Sequence, residues 1–287
     1  MPRFAYHLHL PDKLRSRVVF ASPHSGRDYP ESFLATTILD ERTIRSSEDA
    51  YVDKLFDCAP QHGAPLLRAG APRAYLDLNR SCDELDPALI VGVRKAGHNP
   101  RVASGLGVVP RVVAQGRAIY RGKLTRAQAD ARIARIWRPY HQKLAELLDR
   151  ARSSFGEAIL IDCHSMPHEA LETTIRNGAA RPEIVIGDRF GASASSDYVE
   201  QVEAAFAAAG FRVARNAPFA GAYTTQHYGR PSRGQHAIQI EIDRALYMDE
   251  VAISPRADFG AFREVLAGVV AELAGLGDAG EVRLAAE

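Results

Sequence analysis

Short apolar runs, most of them closed by a polar or glycine-containing turn, alternate along this chain with segments of helical period. Runs at 17–22, 64–69, 74–80, 158–161, 183–188, 211–214 and 236–242 read as strands. The last of these alternates: Ala237, Gln239 and Glu241 share one side, and Ile238, Ile240 and Ile242 the other. In 74–80, Tyr75, Asp77 and Asn79 share a face opposite Leu76, Leu78 and Arg80. Helical spacing recurs at Val52, Leu55 and Phe56, with Ser46 or Ser47 as the expected N-cap. A long stripe through Ile133, Ile136, Trp137, Tyr140, Leu144, Leu147 and Leu148 predicts a helix over 125–153, kinked by Pro139. Two more helices are expected at 198–209, stopped by Gly210, and at 259–274. Strands alternating with helices imply an α/β fold. Neither an internal repeat nor a low-complexity linker interrupts the chain, so a single domain over 1–287 is expected, with a frayed end at 276–287.

Several strands end in residues that carry chemistry. The run from Ala158 passes into Asp162-Cys163-His164-Ser165-Met166-Pro167-His168. On a continuing strand Asp162 and His164, two apart, point the same way, and in open α/β sheets ligands bind at the carboxyl ends of strands. The run 17–22 has the same plan, closing in Pro23-His24-Ser25-Gly26. A lone Asp-x-His is as often a loop cap as a ligand, but here it has company. Glu48 and Asp49 stand at a predicted helix start, where the ordinary role of a carboxylate is to favour the helix dipole. Gln239 and Glu241 lie side by side on the inner face of a predicted central strand, which is costly unless they serve a purpose. Two histidines and a carboxylate make a catalytic zinc site with an open position, and a further glutamate is the usual general base.

Composition narrows the classes. A formal net charge of +1 argues against nucleic acid as the main partner. The apolar runs are too short to span a bilayer, and the amino terminus lacks a signal-peptide core, so a cytoplasmic protein is expected. The 3 cysteines, Cys58, Cys82 and Cys163, include no Cys-x-x-Cys, which fits a reducing compartment and excludes a thiolate zinc site of that spacing. Neither a Gly-x-Ser-x-Gly elbow nor a phosphate-binding glycine loop is present. The segment 87–124 is rich in glycine and bears Arg94, Lys95, Arg101, Arg111, Arg117, Arg121 and Lys123 with no acidic residue. It reads as an irregular basic stretch, commonly a solvated loop and more pointedly a funnel for an anionic substrate.

The motifs, in order, resemble the N-formylglutamate amidohydrolase family. They are Ser22-Pro23-His24-Ser25-Gly26 with Tyr29-Pro30; Asp49 with Val52-Asp53-Lys54-Leu55; Leu76-Asp77-Leu78-Asn79-Arg80; Asp162-Cys163-His164-Ser165-Met166-Pro167; and Gln239-Ile240-Glu241-Ile242-Asp243-Arg244-Ala245-Leu246-Tyr247-Met248. More distantly the arrangement is similar to the zinc carboxypeptidase and aspartoacylase superfamily. The resemblance implies a mixed, mostly parallel sheet flanked by helices, with zinc at the carboxyl edge. It implies His24, His164 and Asp49 as metal ligands, with Glu48 the neighbouring alternative. Glu241 becomes the base and then the acid. Asn79 and Arg80 would grip a substrate carboxylate, Arg73 would polarise the scissile carbonyl, and Arg230 would hold a second carboxylate. The chain departs from the family at Ala50, which replaces a bulky residue, and at Ala220-Gly221-Ala222-Tyr223, where the family often has Gly-Gly.

The implied activity is removal of the formyl group from N-formylglutamate, a small anionic substrate, which would belong to histidine degradation. Two other classes stay open: a zinc hydrolase of another N-acyl amino acid or a peptide carboxyl terminus, and a non-catalytic relative that binds an anion. The presence of both histidines with Glu241 weighs against the latter.

Overall fold

A computed structural model of the protein describes residues 1–94, 99–174 and 181–277. Its strands are β1 (Tyr6–His9), β2 (Val18–Ser22), β3 (Leu66–Ala69), β4 (Ala158–Met166), β5 (Ile184–Gly187), β6 (Val213–Arg215) and β7 (Gln235–Asp243). They form one sheet in the order β1-β3-β2-β4-β7-β5-β6. The central four, β3, β2, β4 and β7, are parallel. β1 closes one edge antiparallel to β3, and the parallel pair β5–β6 closes the other, with β5 antiparallel to β7. This is a mixed, mostly parallel α/β sheet. After β2 the chain moves to β3 on one side and later returns to β4 on the other. A crevice at the carboxyl ends of strands forms where such a reversal occurs.

Strand alternation divides the core into two faces. Ile159, Ile161 and Cys163 of β4 join Ile238, Ile240 and Ile242 of β7 in a cluster with Phe206, Val269 and Val270. Those last three come from the helices Ser196–Ala208 and Phe259–Ala274, which pack against each other. On the opposite face, Ala158, Leu160 and Ala237 pack with Tyr140, Leu144 and Leu148 of the helix Arg138–Phe155, which lies across β2 and β4. Each fully buried Leu, Ile or Phe contributes about 1.5–3 kcal/mol, so both faces are strongly held. Farther along β4 and β7, this second face carries Asp162, His164, Gln239 and Glu241, all buried. The apolar floor thus turns polar toward the carboxyl edge.

Four local expectations change. Residues 74–80 do not form a strand: Tyr75 and Leu76 donate to the Pro72 carbonyl, and Asp77 accepts from the Asn79 amide, so the segment is a chain of turns. Its alternation reflects burial, with Leu76 and Leu78 in the core. The helix expected from Ser46 or Ser47 is interrupted as well. One short helix, Glu41–Arg45, ends at Ser46, and the next, Val52–Leu55, starts after Tyr51 at φ 67. Asp49 lies in the turn between them.

The long helix keeps its extent but not its regularity. Thr125 forms a capping box with Gln128, and a π-helical turn at Ile133–Trp137 precedes Pro139. A proline has no N–H for the helical ladder, and the wider turn accommodates the missing bond. At the carboxyl end, Leu276 is buried in the core, so a frayed end does not begin at 276. Residues 278–287 of that expected end lie outside the described residues, as do Lys95 and Gly97 of the basic segment.

Candidate active site

The site collects at the carboxyl edge of β2, β4 and β7. His24 follows β2 in a turn closed by a Ser22–Ser25 hydroxyl hydrogen bond of 2.8 Å. The turn sits tightly on the chain behind it: a Cβ at Gly26 would fall 2.1 Å from the Ala71 carbonyl oxygen. The amide of Asp49 donates to the His24 carbonyl at 3.0 Å, which fixes the acid beside the histidine although 25 residues separate them.

His164 Nδ1 lies 2.9 Å and His24 Nδ1 3.4 Å from Asp49 Oδ2, and the two imidazoles meet edge-on with centroids 4.7 Å apart. The three donor atoms fall within 4.8 Å of one another, and all three residues are buried. The far nitrogens are each held by a carboxylate: His24 Nε2 by Asp77 at 2.7 Å and His164 Nε2 by Asp162 at 3.0 Å. Carboxylate–histidine pairs of this kind orient metal-binding imidazoles with one nitrogen free. His24 Nδ1 is buried without a hydrogen-bond partner among the described residues. Such an orphan needs an explanation, and a divalent ion between two imidazoles and a carboxylate supplies one. Glu48 points elsewhere, toward the Tyr29 hydroxyl at 2.6 Å and Arg45 at 3.1 and 3.2 Å.

Glu241 enters through strand register. β4 and β7 pair so that His164 stands opposite Glu241 and Asp162 opposite Gln239. Gln239 donates to Glu241 at 2.8 Å. Arg73 reaches Asp77 at 3.1 Å, and Arg244 bonds Asp49 at 3.0 Å and Ser165 at 3.2 Å. Asn79 Nδ2 donates to Asp162 Oδ2 at 3.5 Å, beside His164, and Asn79 Oδ1 accepts the Thr224 amide at 2.8 Å. Arg80 is 6% exposed, bonds the Leu106 and Asn79 carbonyls, and forms no ion pair among the described residues. Asp77 offsets part of the cost of burying this cation through space, and an anionic ligand would relieve more of it.

The charges respond to this crowding. Burial alone would raise the Asp49 carboxyl, but His164 and His24 outweigh it and hold it well below the usual range. Asp77 is likewise held low against burial, by His24, Arg73 and Arg80. For His164, burial favours the neutral ring, yet Asp162, Asp49 and Glu241 raise its pKa well above the ordinary value. Glu241 goes the other way. Burial, together with Asp49, pushes it up to about 7 against the pull of His164, Arg73 and Arg244.

A cleft of about 710 Å³ opens over these groups. Its walls include Arg73, Arg80, Arg101 and Arg244, and its rim includes 112–116 and 218–222. Arg230 is not part of it. The Arg230 backbone pairs with Gln235 at the start of β7, six residues before Glu241. At about 3.3 Å per residue that is roughly 20 Å, beyond an arginine's reach. Of the basic segment, Arg101 borders the cleft, while Arg111 is tied to Asp86 and Lys123 to the Pro87 carbonyl. Arg244 had no role in the sequence reading; its one signal is its place just beyond the strand that carries Glu241.

The sequence model of the N-formylglutamate amidohydrolase family matches residues 16–248. The N-formylglutamate deformylase of Pseudomonas aeruginosa is 31% identical over 268 residues, covering 90% of this chain and 91% of that protein. The enzyme of that name from Pseudomonas putida is 29% identical over 243 residues, 82% of this chain and 83% of the other. Among solved structures, the N-formylglutamate amidohydrolase of Ralstonia eutropha JMP134 superimposes with a TM-score of 0.87 at 34% identity, covering 94% of this chain and 96% of its own.

Proposed function

Given that the chain belongs to the N-formylglutamate amidohydrolase family, we propose that it is a zinc-dependent enzyme that hydrolyses N-formyl-L-glutamate to formate and glutamate. The observation that carries the reading is the buried His24–Asp49–His164 cluster with Glu241 paired across the sheet from His164. The activity named for the relatives fits that chemistry.

His24, His164 and Asp49 would hold the ion. Bound there, zinc would polarise the formyl carbonyl and bring the pKa of a water toward ~7. Glu241 takes a proton from the attacking water as the new C–O bond forms. It returns that proton to the nitrogen as the C–N bond breaks, leaving formate and the amine of glutamate. A carboxyl pushed up to about 7 suits both roles near neutral pH. Arg73, within electrostatic range of Glu241 and anchored by Asp77, is placed to share the developing oxyanion charge. Arg80 receives one substrate carboxylate, and Asn79 braces the Asp162 carboxylate that holds His164. Arg101, on the cleft wall, takes the place expected of Arg230 as the cation for the second carboxylate.

The test is metal analysis of the purified protein followed by assay of formate release from a panel of N-formyl and N-acetyl amino acids. Stoichiometric zinc and a preference for N-formylglutamate are expected. Turnover of N-acetyl or neutral substrates in preference would remove the substrate assignment, and full activity in metal-stripped protein would remove the zinc.

A further inference from the structure

Residues 78–80 carry Asn79 and the proposed clamp Arg80, yet they belong to no strand. Backbone carbonyls without a ladder must find donors elsewhere when buried. Here three consecutive carbonyls are each taken by a side chain. His141 Nε2 donates to Leu78 at 2.9 Å, Arg80 Nη1 to Asn79 at 2.7 Å, and Trp137 Nε1 to Arg80 at 2.8 Å.

Trp137 and His141 lie one turn apart, with ring centroids 4.2 Å from each other. Trp137 is the last residue of the π-helical turn, and Pro139 sits between the two. A π turn re-aims the residues that follow it and is frequent at functional sites. His141 is buried, which lowers its pKa to about 3 and keeps the ring neutral. Since a carbonyl can only accept, the proton belongs on Nε2, and Nδ1 accepts from the Tyr228 hydroxyl at 2.9 Å. Tyr228 ends the helix Tyr223–Tyr228, whose Thr224 amide donates to the Asn79 side chain at 2.8 Å. Both helices thus hold the 78–80 segment.

We infer that Trp137 and His141 are positioning residues that set substrate affinity by fixing the main chain under Asn79 and Arg80. The inference rests on the proposed role of Arg80 as the carboxylate clamp. Neither residue lines the cleft. Each acts through a carbonyl whose displacement would swing the guanidinium away from the cleft.

The experiment compares Trp137→Phe, His141→Leu, His141→Gln and Arg80→Ala on N-formylglutamate and on a neutral N-formylalkylamine, with bound zinc measured for each. Trp137→Phe and His141→Leu are expected to raise KM for N-formylglutamate about three- to tenfold, the size of one lost hydrogen bond. Their kcat should change less than KM, their zinc content should hold, and the neutral amide should be affected much less. Glutamine at 141 can donate to Leu78 and accept from Tyr228, so His141→Gln should recover most of the affinity. An equal loss on both substrates, or a loss of zinc, would make the two residues merely structural and overturn the inference. If Arg80→Ala spares the preference for the carboxylate substrate, the clamp fails, and the inference falls with it. If Arg80→Ala abolishes that preference while the Trp137 and His141 variants keep it, the inference alone fails.

Discussion

His164 and Glu241 are paired residues of neighbouring parallel strands, separated by 77 positions in the chain and placed side by side on one face of the sheet. The pairing puts the proposed base next to a proposed ligand without either residue depending on a loop. Sites built on strands hold their geometry more tightly than sites built on loops. Half of the reaction centre is therefore as rigid as the sheet itself.

Replacing Glu241 with glutamine keeps the shape and removes the proposed base. We expect kcat on N-formylglutamate to fall about 10²–10⁴-fold with bound zinc retained. Steady-state kinetics with metal analysis checks this, and loss of zinc from the variant would assign Glu241 to the metal.

The elevated pKa of Glu241 has a pH signature. A general base works ionised, so in the proposed role kcat/KM should rise with pH through the pKa of Glu241. Burial and Asp49 place that pKa at about 7, and a dication alongside would pull it down. The acid limb is thus expected at or below about 7, and Glu241→Gln should erase it.

Asp77 holds the far nitrogen of His24 at 2.7 Å. Asp77→Asn should weaken zinc binding about 10–100-fold, the usual cost of losing such a partner. Competition with a chromophoric chelator measures the change. Unaltered affinity would show that His24 needs no such brace.

Arg80 and Arg230 should separate cleanly. Arg80→Ala is expected to raise KM about 10–100-fold, the loss of a charge-assisted contact with a carboxylate. Arg230→Ala, at the far end of β7, should leave KM within about twofold. A large KM effect at Arg230 would overturn its placement.

Gly26 tests the packing behind His24. An alanine Cβ would fall 2.1 Å from the Ala71 carbonyl oxygen, a backbone atom that cannot swing aside. Gly26→Ala should destabilise the fold by about 1–3 kcal/mol, read from urea unfolding. It should also lower zinc affinity, because the turn that carries His24 must move.

Local pattern was enough for much of this. The runs that became β2, β4 and β5 are visible as apolar sequence, because a strand buried on both faces needs continuous hydrophobicity. The two-residue period placed Ala237, Gln239 and Glu241 on one side, since alternation is a property of the strand alone. The irregular 74–80 segment misled for the same reason. Its alternation mimics a strand, while local hydrogen bonds to Pro72 and Asp77 make it a series of turns.

The sequence by itself determined which residues could do chemistry and which way each faces within its own element. Tertiary structure decided which of them meet. Register between β4 and β7 set Glu241 against His164, and the turn linking Asp49 to the His24 carbonyl chose Asp49 over Glu48. The course of the chain into β7 carried Arg230 away, while Arg101 and Arg244 came to the cleft. Local periodicity is encoded by neighbours a few residues apart. Pairing register and loop closure depend on contacts across tens to hundreds of residues, which no single stretch of sequence records.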